Sequence, residues 1–146
     1  MVDQRWTRWI KGSILKYFQD NKASYNLVLN PQDIKDLTSW VELKIIGPRF
    51  KEQIQDQWHV ELEIHLMCSI LATDNIYSMA DMVGYFQSLM VDIPVYEIRD
   101  SNELFGCLSL RQDVARPIDT IPWGQANPSN NSEMTSIDGF YKMEIH

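Results

Sequence analysis

From Trp58 to Cys68 the chain alternates between two faces without a break. Trp58, Val60, Leu62, Ile64, Leu66 and Cys68 share one parity, and His59, Glu61, Glu63, His65 and Met67 share the other. A period of two is the signature of a strand with one face on a core and the other toward water. At about 3.3 Å per residue such a strand is roughly 36 Å long, the span of a small domain. It cannot stand alone, because it needs paired neighbours and an apolar layer across its buried face.

The sequence supplies both. Upstream, Val41, Leu43 and Ile45 alternate with Glu42 and Lys44 until Gly47-Pro48, where the strand is expected to end. The polar stretch from Arg49 to Gln57 then reads as the tip of a long antiparallel hairpin, exposed and open to partners. At the far end, Ile137, Gly139, Tyr141, Met143 and Ile145 alternate with Asp138, Phe140, Lys142 and Glu144, which predicts a closing strand. Tyr25 to Leu29 reads as a short apolar strand stopped by Pro31, with Asp33 and Asp36 in the turn that follows. Ile93–Ile98 and Leu104–Leu110, joined by Asp100-Ser101-Asn102, form a second hairpin.

Two segments change period. Trp6, Trp9, Ile10, Ile14, Tyr17 and Phe18 recur every three or four residues, as do Ile76, Met79, Ala80, Val83, Phe86 and Met90 after Thr73-Asp74-Asn75. Each predicts an amphipathic helix. Asp3 is expected in the first turn of the first helix and Lys22 near its last, where both suit the dipole. The two tryptophans read as core anchors, and Gly84 as a point of close approach between the second helix and the sheet. Residues 115–134, with Pro117, Pro122, Gly124 and Pro128, are expected to be a long loop anchored by Trp123. The fold class is α+β: one domain, residues 1–146, with a mainly antiparallel sheet, a long β-hairpin and two amphipathic helices packed on it.

Net charge is −7 over 146 residues, but it is unevenly spread. Residues 1–51 hold nine Lys or Arg against five Asp or Glu, a balance of +4; the remainder holds four against fifteen, a balance of −11. So acidic a majority argues against generic duplex-DNA binding, which requires a positive surface. No apolar run exceeds three residues, and the two cysteines stand 39 positions apart, so the expectation is a soluble, unexported protein with reduced thiols.

Catalytic patterns are sparse. His59, Glu61, Glu63 and His65 share one strand face, but His59 and His65 are roughly 20 Å apart along it, too far to share one metal. No nucleophile elbow, Gly-rich phosphate loop, HExxH or EF-hand pattern occurs. Cys68 lies on the apolar face and reads as an inert thiol, while Cys107 is less constrained. The expectation is no catalytic residue, no metal and no cofactor. Exposed polar strand faces, a hairpin tip and divided charge suit a subunit that packs side by side with copies of itself.

The stretches Val41-Glu42-Leu43-Lys44-Ile45-Ile46-Gly47-Pro48-Arg49-Phe50 and Trp58-His59-Val60-Glu61-Leu62-Glu63-Ile64, with helix, hairpin, helix and closing strands in that order, resemble the tail-terminator (tail-completion) family of long-tailed bacteriophages, of the lambda type. The segments Asp74-Asn75-Ile76-Tyr77, Met82–Leu89 and Ile93-Pro94-Val95-Tyr96 are similar to related neck proteins. The resemblance implies a non-enzymatic virion protein forming a hexameric ring that caps the tail tube and then accepts the DNA-filled head. It implies as partners the tail tube protein and a head–tail connector, with genomic DNA passing through an acidic channel without specific binding, and no membrane. The place implied is the virion neck, with the host cytoplasm during assembly. On this reading the ring interface is expected at His59, Glu61, Glu63 and His65, and tube or connector docking at Arg49, Phe50 and Lys51. The alternatives are a head-to-tail adaptor or stopper of the neck, also ring-forming, and a small enzyme using His59 or His65.

Overall fold

The computed structural model describes residues 2–30, 37–71, 76–127 and 132–146. The turn around Asp33 and Asp36, the Thr73-Asp74-Asn75 segment, and Pro128 to Asn131 lie outside the described residues, as does the side chain of Trp123. The elements run α1 (Trp6–Asn21), β1 (Leu27–Val28), β2 (Ser39–Ile54), β3 (Gln57–Leu71), α2 (Ile76–Ser88), β4 (Ile93–Tyr96), β5 (Leu104–Leu110), β6 (Ile118–Asn127) and β7 (Ser132–Ile145). Seven strands form one curled sheet in the order β1-β2-β3-β7-β5-β4, with β6 also on β7. Every pair is antiparallel except β1 with β2. The α+β class follows directly, with the helices packed on one face of a mainly antiparallel sheet.

β3 sits at the centre. Val60, Leu62, Ile64, Leu66 and Cys68 are all buried, in one cluster with Ile10, Ile14 and Phe18 of α1, Met82 and Phe86 of α2, and Ile137, Tyr141 and Met143 of β7. Burial of a full aliphatic side chain stabilises by about 1.5–3 kcal/mol, so this layer is the main source of cohesion. The tryptophans are core anchors, as the helical spacing predicts. Trp9 lies edge-on to Phe105 with centroids 4.9 Å apart, and Trp6 packs among Phe50, Trp58 and Phe105 at 5.8, 6.2 and 6.3 Å. The Trp9 indole N–H donates to Asp100 at 2.7 Å.

Four local expectations are corrected. β2 does not stop at Gly47-Pro48. It runs through a bulge there, where the register steps from Ile46↔Glu63 to Arg49↔Glu61, and the hairpin turns only at Gln55-Asp56. Gly47, at φ 106°, supplies a backbone conformation that a side chain would resist. The expected loop over 115–134 contains β6, an edge strand on β7 whose register shifts between Pro122 and Gly124. Proline is tolerated there because an outer edge leaves one row of N–H groups unpaired. Gly84 faces open space, and the close approach falls instead at Gly139, where an added Cβ would lie 3.0 Å from the Tyr141 ring and 3.1 Å from the Met90 sulfur. Asp3 precedes the helix: it binds the Arg5 backbone N–H and guanidinium at 2.9 Å each, and no side chain caps α1.

Candidate functional site

Opposite the helices, the sheet carries a ladder of charge. β3 lies between β2 and β7, so its polar parity meets theirs row by row. One row is Lys51, His59 and Glu144, the next Arg49, Glu61 and Lys142, and a third Lys44, His65 and Asp138. Acid and base thus face each other at Arg49–Glu61, Glu61–Lys142, His59–Glu144 and His65–Asp138, an arrangement that stabilises such pairs, while Glu63 stands between the apolar Ile46 and Phe140. The bulge makes this alignment possible. Unbroken alternation from Val41 would turn Arg49 and Lys51 inward; the extra residue turns them onto the polar face and sends Phe50 to the core side, opposite Val60.

Both histidines are held between carboxylates. His59 Nδ1 lies 2.6 Å from Glu144 and Nε2 3.0 Å from Glu61; His65 Nδ1 lies 2.6 Å from Asp138 and Nε2 3.2 Å from Glu63. A ring carrying both protons donates to both neighbours. The two side chains are only 17% and 19% exposed, so little water reaches either ring. Arg111, at the end of β5, extends the network to Glu61 at 3.3 Å and clamps Asp113 at 2.9 and 2.6 Å. That guanidinium holds the Asp113 carboxyl at about 2, below the ordinary carboxylate range. Arg49 approaches Glu63 at 4.0 Å.

The arrangement presents charge; it does not line up a nucleophile. Ser136 Oγ donates to Asp138 Oδ1 at 2.5 Å, the same oxygen that His65 Nδ1 meets at 2.6 Å, so the carboxylate oxygen stands between hydroxyl and ring as the shared partner of both. An activated serine requires the hydroxyl on the ring nitrogen instead. Among the described residues no three His, Cys, Asp or Glu side chains are grouped to hold a metal ion, and no buried side-chain N or O lacks a hydrogen-bond partner.

His59, Glu61, Glu63 and His65 therefore stand together on one face, as their spacing predicts. Of the residues expected to dock a partner at the hairpin tip, Arg49 and Lys51 lie on that same face, below the turn, while the half-buried Phe50 ring packs on Trp6. The sequence reading missed Arg111, because its partner Glu61 is fifty residues away and only the pairing of β5 with β7 brings them together. Asp138 and Glu144 had a visible signal, their parity in the last strand, but not the register that sets them against His65 and His59. Searches with this sequence found no matching protein-family model and no matching curated protein.

Proposed function

We propose that the chain is a structural subunit of the neck of a long-tailed bacteriophage, assembling into a ring that caps the tail tube and joins tail to head. The observation that carries the reading is the long β2–β3 hairpin with its ladder of paired charges, set on the sheet face away from both helices. A broad charged face whose groups already satisfy one another can meet a neighbouring subunit with little rearrangement, and charged surfaces of this kind fix register and partner choice. The resemblance of the Val41–Phe50 and Trp58–Ile64 stretches to tail terminators supplies the biological setting. The subunit is non-enzymatic on this account, and its ring has six members.

Charge gives the ring a further role. With a balance of −11 after residue 51, a channel lined from that part of the chain would repel phosphates and let DNA slide through without adhering. The test is the mass of the purified protein, alone and mixed with tail tubes, by light scattering. Six copies per tube end is the expected result. Twelve would move the assignment to an adaptor, and a monomer that ignores tubes would end it.

A further inference from the structure

The turn of the β2–β3 hairpin exposes an apolar side chain between two acids. Ile54 is 62% exposed, and Glu52 and Asp56 on either side of it make no ion pair among the described residues. Elsewhere on the molecule lies a surface of the opposite character. A groove of about 560 Å³ is lined by Gly12 and Leu15 of α1, Leu43 and Ile45 of β2, and Ile98. Lys11, Lys16, Arg8 and Arg99 line it as well, all exposed. Arg8 is paired with Asp100 and Lys16 with Asp20, each at 2.7 Å, while Lys11 and Arg99 have no acidic partner among the described residues.

We propose that the hairpin tip of one copy docks in the α1 groove of the next, with Ile54 against Leu15 and Ile45 and with Glu52 and Asp56 on Lys11 and the neighbouring cations. The two surfaces match in shape class and in sign: an apolar knob flanked by negative charge, and an apolar trough rimmed by positive charge. They cannot meet within one molecule, because Ile54 stands nine positions beyond Ile45 along β2, roughly 30 Å. A contact between two different patches is head-to-tail, and head-to-tail contacts close into rings when the rotation between neighbours permits. The inference rests on the ring reading above and names the contact that builds the ring.

The test uses two variants of the full chain, each changed only at exposed positions. Ile54→Asp alters the tip, and Lys11→Glu with Lys16→Glu alters the groove; circular dichroism confirms that both remain folded. Sedimentation equilibrium should show each variant self-associating at least tenfold more weakly than the wild type. Mixed in equal amounts, they should form a dimer and nothing larger, since one intact tip meets one intact groove. Variants that assemble like the wild type, a mixture that stays monomeric, or a wild type that is monomeric at millimolar concentration would each overturn the docking. The ring reading fails separately: variants that still form six-fold caps on tubes remove this contact and leave the ring, whereas a wild type that never caps tubes removes the ring.

Discussion

Tyr141 shows how much a single buried group can hold. Its side chain is fully buried on β7, its hydroxyl donates to the Val91 carbonyl at 2.9 Å, and burial drives its ionisation far above the ordinary tyrosine range. Tyr141→Phe removes that hydrogen bond, and because Val91 is itself exposed and its carbonyl can turn to water, a loss of about 0.5–1.5 kcal/mol in urea denaturation is expected. The two thiols should separate in reactivity. Burial pushes the Cys68 thiol up to about 12, while Cys107 is exposed. Partial burial of its sulfur raises the Cys107 thiol as well, so a thiol-reactive dye at neutral pH should modify Cys107 slowly in the native state and Cys68 only on unfolding; equal rates would contradict the buried position of β3. The sign for stability follows. An acid whose folded value lies above its unfolded one keeps its proton in the native state, so stability falls as pH rises from about 9 toward about 12. Asp113 runs the other way: its carboxyl is held at about 2 by Arg111, so whatever it contributes is present above the ordinary carboxylate range and is lost as pH falls through about 2. Its exposure means salt should weaken the effect.

At the scale of elements, the bulge in β2 decides which residues are displayed. Gly47 has φ 106°, and an added Cβ would sit 3.2 Å from the Glu61 carbonyl oxygen. Gly47→Ala should cost about 1–3 kcal/mol and disturb the near-ultraviolet signal of Trp6 and Trp58, since Phe50 just beyond the bulge packs on Trp6. An unchanged signal and unfolding midpoint would show that the bulge tolerates a side chain. This same feature marks the limit of what the sequence made legible. Local periodicity was enough for α1, α2, β3 and β7, because each buries one face at a fixed repeat. Gly47-Pro48 looked like a strand end, since the alternation changes phase there and the compensating register lies on another strand. β6 was hidden for a similar reason: proline and glycine argue against a strand until a neighbour, here β7, makes it an edge. The charged residues of the candidate site could be read from parity, but their rows, and the place of Arg111 among them, are products of pairing between distant segments.

For the whole molecule, the account joins a charged sheet face, a hairpin tip and a basic groove in one assembly. The charge ladder is expected at the subunit boundary, so His59→Ala with His65→Ala should weaken assembly while leaving the core intact, as read by an unchanged circular dichroism spectrum and a lower association constant. Loss of a turnover activity with assembly unaffected would instead favour an enzyme. The divided charge sets a second expectation. If DNA passes through an acidic channel, the ring should show no measurable retention of duplex DNA at physiological salt, and tight, salt-sensitive binding would place the basic first third of the chain on the channel wall. The most direct measurement is electron microscopy of tail tubes incubated with the protein, with averaging of the tube ends. The account predicts a six-fold ring seated on one end, with an open axial channel; bare tube ends at saturating protein, or a cap of any other symmetry, would contradict it.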